Sequence, residues 1–129
     1  SVCDFEARFP VDVSEWKETG VQYILNGRTM QMMPLYFQFY QTFIDNKEIL
    51  NIPFQSQNIK QNVIIIHGTD DQVVPFSDAE FLVSRITNST LFLIKNTGHT
   101  FGLKHPYEMN HLPKTMNKVI DATINFLSV

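Results

Sequence analysis

With 129 residues, 43% of them apolar and 18% charged, the chain has the make-up of one soluble globular domain and not of a disordered tail. Its net charge of −3 gives no basis for binding nucleic acid or an anionic membrane surface. A single cysteine, Cys3, excludes an internal disulfide and a thiolate metal cluster, and fits a reducing, cytoplasmic setting.

Ser1 to Pro10 carry early acidic residues and no apolar core, so they do not read as a signal peptide. The apolar runs are all too short for a transmembrane helix. No initiator Met is present, which leaves a processed or truncated start open. Residues 1–4 offer the tail of a strand, with Cys3 as a small buried residue at its end rather than a nucleophile. Next, Val21 to Leu25 and Thr29 to Met32 flank Asn26-Gly27, a pair that tolerates positive φ, so a hairpin with a two-residue turn is predicted. Pro34 then suits the first turn of a helix, where its missing N–H costs nothing. Leu35, Phe39 and Phe43, with Tyr36, Tyr40 and Ile44 beside them, give that helix a broad aromatic face. Met30, Met32, Met33, Tyr36, Phe37, Phe39 and Tyr40 form one apolar cluster. Core packing is its main reading, with a lid lining an acyl or aryl pocket as the functional one. Arg28 and Lys17 read as surface charges, with contact to a substrate anion as the alternative for Arg28 beside the hairpin tip.

A polar connection over Asn46 to Asn62 leads to a region of different character, which begins near residue 60. Val63 to Ile66 is a predicted strand. Ser77-Asp78-Ala79-Glu80 matches a capping box, followed by a helix with Ala79, Leu82, Val83 and Ile86 on one face. Thr90 to Ile94 is a second continuous apolar strand, and a last helix starts near Pro113 with Met116, Val119, Ile120, Thr123 and Leu127 inward. Strand, helix, strand and helix at these lengths imply an α/β arrangement of parallel strands joined by a right-handed crossover. Continuous apolar strands of that kind need cover on both faces. Two strands and two helices are too few, so the chain is expected to be the C-terminal part of a larger domain or to assemble with another chain.

Ligands of open parallel sheets bind beyond the carboxyl ends of the strands. Asp70 and Asp71 follow the first strand, and Asn96-Thr97-Gly98-His99 follows the second. Neighbouring strands, about 5 Å apart, would bring a carboxylate and an imidazole to one rim. A carboxylate that holds one ring nitrogen fixes the tautomer and frees the other nitrogen as a general base.

His67-Gly68-Thr69-Asp70-Asp71-Gln72-Val73-Val74-Pro75 resembles the HG-x-x-D-x-x-VP segment that carries the acid in α/β-hydrolase enzymes. Gly98-His99-Thr100-Phe101 is similar to the loop that carries their histidine, and the order Asp then His fits the same family. The resemblance covers residues 60–129 well. Residues 1–59 look, less closely, like the strand end and lid or insertion region of esterase-type members. It implies the C-terminal part of an α/β-hydrolase fold, parallel strands with flanking helices, preceded by a hairpin-plus-helix lid-like region. By counting along the motif it assigns Asp71 as the acid and His99 as the base of a Ser-His-Asp triad. Asp70 is left as a turn-former.

No Gly-x-Ser-x-Gly elbow occurs in the sequence, so the resemblance places the serine in a half of the fold outside this chain. Taken alone the chain is expected to be inactive. Carboxylic esters are the implied substrates; short peptides or amides cleaved by the same fold, or a scaffold domain without a nucleophile, are the alternatives. The implied partners are a small-molecule ester or short peptide and the N-terminal half of the fold or a second copy, with no nucleic acid, membrane, cofactor or metal. His67 ends a buried strand and is expected to hydrogen-bond backbone near the turn. His105 and His111 read as solvated loop residues, and with His99 they lack the spacing of a helical zinc pair. Ser77 is taken up by the capping box, while Ser84 in a helix and Ser89 in a turn do not suit a strained nucleophile.

Overall fold

A computed structural model describes residues 12–128, and these fall into two compact units, 12–52 and 53–128. The strand tail expected over residues 1–4 and the burial expected for Cys3 lie outside the described residues. The units divide ahead of the change in sequence character near residue 60.

In the first unit, helix α1 (Val13–Thr19) leads into an antiparallel hairpin, β1 (Val21–Leu25) and β2 (Met32–Tyr36), and then helix α2 (Phe37–Asp45). The Asp12 carboxylate caps α1 by accepting from the Ser14 and Glu15 amides at 2.9 and 3.2 Å. Gly20, at φ 72°, ends it. This helix was not expected: seven residues with only Trp16 buried give no periodicity, although Asp12, Glu15 and Gly20 are its sequence punctuation.

The hairpin pairs Val21 with Tyr36 through to Leu25 with Met32, so its connection covers 26–31 rather than Asn26-Gly27 alone. Asn26 organises the wider turn. Its side-chain oxygen accepts from the Arg28 and Thr29 amides, and its carbonyl accepts from the Met30 amide at 2.8 Å. Pro34 therefore sits within β2 opposite Tyr23, not in a helix. Both strands of a two-stranded ribbon are edges, where a missing N–H is tolerated.

Trp16 forms the core of this unit at 0% exposure. Its indole N–H donates to the Leu35 carbonyl at 3.0 Å, and its ring meets Phe37 edge-on at 5.8 Å and Tyr40 at 5.9 Å. Met30, Met32, Met33, Tyr36 and Phe39 are exposed, which corrects the core-packing expectation for them. A two-stranded ribbon with two short helices has too little surface to bury them.

A short helix, α3 (Ile52–Ser56), precedes the alternating elements of the second unit: β3 (Val63–Gly68), α4 (Phe76–Arg85), β4 (Ser89–Ile94) and α5 (Lys114–Leu127). The strands β3 and β4 pair in parallel, from Val63 opposite Ser89 to Gly68 opposite Ile94, and both helices pack on both strands. This is the crossover unit expected from the sequence, and it makes the chain mixed α/β, compatible with part of an α/β-hydrolase fold.

The capping box does not form. Pro75 stands at the N-cap of α4 with no side-chain cap bond, and its carbonyl already accepts the Asp78 amide at 2.9 Å. That bond starts the helix two residues before Ser77 could end the loop as a cap. The inward face of α5 runs through Met116, Val119 and Thr123 as expected, together with Thr115, Ala122 and Phe126, whereas Ile120 and Leu127, expected inward, are exposed. A stripe of spacing close to 3.6 residues passes to one side of Ile120 and ends before Leu127.

Candidate active site

The two parallel strands end side by side, and the loops that leave them are stitched together. Thr69 and Asp70 donate their amides to the Ile94 and Thr97 carbonyls, each at 3.0 Å, and the Asn96 amide returns to the Thr69 hydroxyl at 3.0 Å. Gly68 permits this approach. A Cβ there would lie 2.3 Å from the Thr97 carbonyl oxygen and 3.0 Å from that of Gly98, both backbone atoms. Asn96 contributes a second special conformation, a left-handed φ of 56° just after β4, which Asn adopts more readily than most residues.

These constraints deliver Asp71 and His99 to the same rim. The Asp71 Oδ1 accepts from the Val73 and Val74 amides at 2.8 and 2.9 Å, while Oδ2 lies 3.0 Å from His99 Nδ1. The Asp71 side chain is 5% exposed and that of His99 is 50% exposed. Burial raises the Asp71 carboxyl, but the amides of Val74 and Val73 and the His99 ring more than offset it, so it titrates below the ordinary carboxylate value. An ionised carboxylate only accepts, so Nδ1 carries the proton and the Nε2 lone pair is left as a base.

Asp70, one residue earlier, instead accepts from the Thr69 hydroxyl at 2.8 Å. His67 meets backbone near the turn, with Nε2 3.1 Å from the Val74 carbonyl oxygen. His105 and His111 lie in the exposed loop after His99, and no group of three His, Cys, Asp or Glu among the described residues is arranged to hold a metal ion. The Ser84 hydroxyl donates to the Phe81 carbonyl and that of Ser89 to the Ile86 carbonyl, both at 2.7 Å, and neither approaches the pair as a nucleophile would. Arg28 and Lys17 are exposed in the other unit. Sequence reasoning passed over the Val73 and Val74 amides. Their signal was the residue order itself, since an Asp followed two and three residues later by free amides closes an Asx turn.

A carboxylate-oriented imidazole at the carboxyl ends of adjoining parallel strands is the kind of arrangement that α/β hydrolases use to activate a nucleophile. Over 103 residues the chain is 29% identical to monoacylglycerol lipase ABHD6 of Rattus norvegicus, a match covering 78% of this chain and 29% of that protein. The chain thus spans less than a third of the length of the curated relative it matches. No protein-family model matches it. The likeness supports the α/β-hydrolase family and, coarsely, a hydrolase role.

Proposed function

We propose that this chain supplies the acid, Asp71, and the histidine, His99, of a Ser-His-Asp hydrolase acting on carboxylic esters, with the serine contributed from outside the chain. The observation that carries the proposal is the 3.0 Å contact between Asp71 Oδ2 and His99 Nδ1. The name of the relative, a lipase, favours esters over amides. The serine comes from the N-terminal half of the same fold or from a second copy that brings such a half.

In this reading the serine hydroxyl attacks the acyl carbonyl while His99 Nε2 takes its proton. Asp71 holds Nδ1–H and stabilises the imidazolium that forms. His99 then returns the proton to the leaving alkoxide, giving an acyl-enzyme and free alcohol, and water repeats the sequence to release the acid. Proton transfer of this kind needs no metal and no cofactor.

The test uses the full-length protein with p-nitrophenyl esters alongside aminoacyl amides. Replacing Asp71 by Asn keeps the shape of the carboxylate but favours the wrong imidazole tautomer, so turnover should fall by about 10⁴-fold with the fold intact. His99→Ala should be comparably inactive. A fluorophosphonate probe should label a serine outside residues 1–129. Undiminished ester hydrolysis by Asp71→Asn would reject the proposal.

A further inference from the structure

A second imidazole lies beneath the turn that carries Asp71, and we propose that His67 is a positioning residue that holds Asp71 in place for His99. The inference rests on the roles of Asp71 and His99 proposed above. His67 sits one residue before the end of β3, its side chain 9% exposed, with its ring edge-on to Phe76 at 5.9 Å. A carbonyl oxygen only accepts, so the 3.1 Å approach of Nε2 to the Val74 carbonyl makes Nε2 the protonated nitrogen and the donor. The same Nε2 lies 3.7 Å from Asp71 Oδ2, the oxygen that faces His99.

Val74 is thereby gripped twice. Its carbonyl accepts from His67 Nε2–H, and its amide donates to Asp71 Oδ1 at 2.9 Å. A line of polar contacts runs from the paired strand β3 through His67 and Val74 to Asp71, and from Asp71 to His99. His67 Nδ1 is buried with no hydrogen-bond partner, so among its polar contacts it is Nε2 that sets the angle of the ring. Loss of the Nε2 donor frees the Val74–Pro75 peptide, and its motion is passed across the Val74 Cα to the Val73–Val74 peptide, which carries one of the two amides that fix the Asp71 carboxylate. His99 is then less well aimed although no group that touches substrate has changed.

The experiment measures ester hydrolysis by the full-length protein carrying His67→Phe or His67→Gln. Phe preserves a ring against Phe76 and removes the donor, so kcat should drop about ten- to a hundredfold with KM changed less than about twofold. Gln carries an amide N–H near the place of Nε2 and should recover most of kcat. Equal losses in the two variants, or an unchanged kcat in His67→Phe, would overturn the positioning role. Should His67→Phe fail to fold, His67→Met removes the donor in its place and the same comparison with Gln applies. The unmutated protein gives an independent reading, because nitrogen-15 spectra of its histidines should show His67 protonated at Nε2; protonation at Nδ1 instead would also overturn the role. Full activity in Asp71→Asn refutes the triad itself, whereas an inactive Asp71→Asn beside a fully active His67→Phe refutes the positioning role alone.

Discussion

At Asp71 three donors meet one carboxylate: the amides of Val73 and Val74 and the ring of His99. Burial alone would have pushed this group toward its neutral form, and the three donors reverse that preference. The consequence for stability has a definite sign. In the unfolded chain an aspartate titrates near about 3.9, and in the folded chain Asp71 titrates lower. As pH falls below about 4 the unfolded state takes up the proton first, so the stabilisation present at higher pH is lost down to the folded value. Urea unfolding followed between about pH 2 and pH 6 should therefore show a smaller acid-limb loss in Asp71→Asn than in the unmutated protein. Identical acid limbs would mean that Asp71 is not held as described. The contact itself was legible in the sequence, because strand ends can be read from apolar runs and the rim beyond them is fixed by topology. The support beneath it was not. The Val73 and Val74 amides and the Thr97 carbonyl act through the backbone, and a residue's letter says little about where its peptide group points.

Among the elements, the strands and the longer helices were readable and their boundaries were less so. The runs Val63 to Ile66 and Thr90 to Ile94 announce strands because several β-branched or bulky apolar residues occur together. Starts and stops depend on single hydrogen bonds, and there the competition is close. Pro75 took the N-cap of α4 from Ser77, and Asn26 widened the hairpin turn, which moved Pro34 into β2. Helix α1 was missed although its one buried residue organises the first unit. Trp16 is in contact with Phe37 and Tyr40 and bonds to the Leu35 carbonyl, so it links α1 to β2 and α2. Trp16→Ala should cost that unit about 3–5 kcal/mol, the usual range for removing a buried large aromatic side chain. Proteolysis should read this directly, with cleavage within residues 12–52 accelerated and the second unit cut at an unchanged rate. Trp16 is also the chain's single tryptophan, so its fluorescence in the unmutated protein follows unfolding of this unit and no other.

At the scale of the whole molecule, the decisive feature is how little apolar surface the described residues enclose. Among the described residues only Trp16, Ala79, Ile86, Ile94 and Ala122 are buried hydrophobic residues. Parallel strands are ordinarily sheltered on both faces, yet Phe92 and Leu93 in β4 are 39% and 42% exposed, and β3 and β4 have only each other as strand partners among the described residues. Among the described residues each of these strands thus presents an unpaired edge, which is a template for adding another strand. Esterase chemistry needs a serine that the sequence does not offer in an elbow, and the sheet needs neighbours at the same time. On the proposed function, a single further segment would supply both. Residues 1–129 expressed alone should therefore run above monomer mass in light scattering, bind a hydrophobic dye and hydrolyse no p-nitrophenyl ester. If the proposed function holds, co-expression with the remainder of the fold should restore a defined assembly together with activity, because in α/β hydrolases the strands that close the sheet also carry the nucleophile. A well-behaved monomer of these residues with ester-hydrolysing activity of its own would break that link, and would require a nucleophile within the chain that neither Ser84 nor Ser89, each donating to backbone, is placed to be.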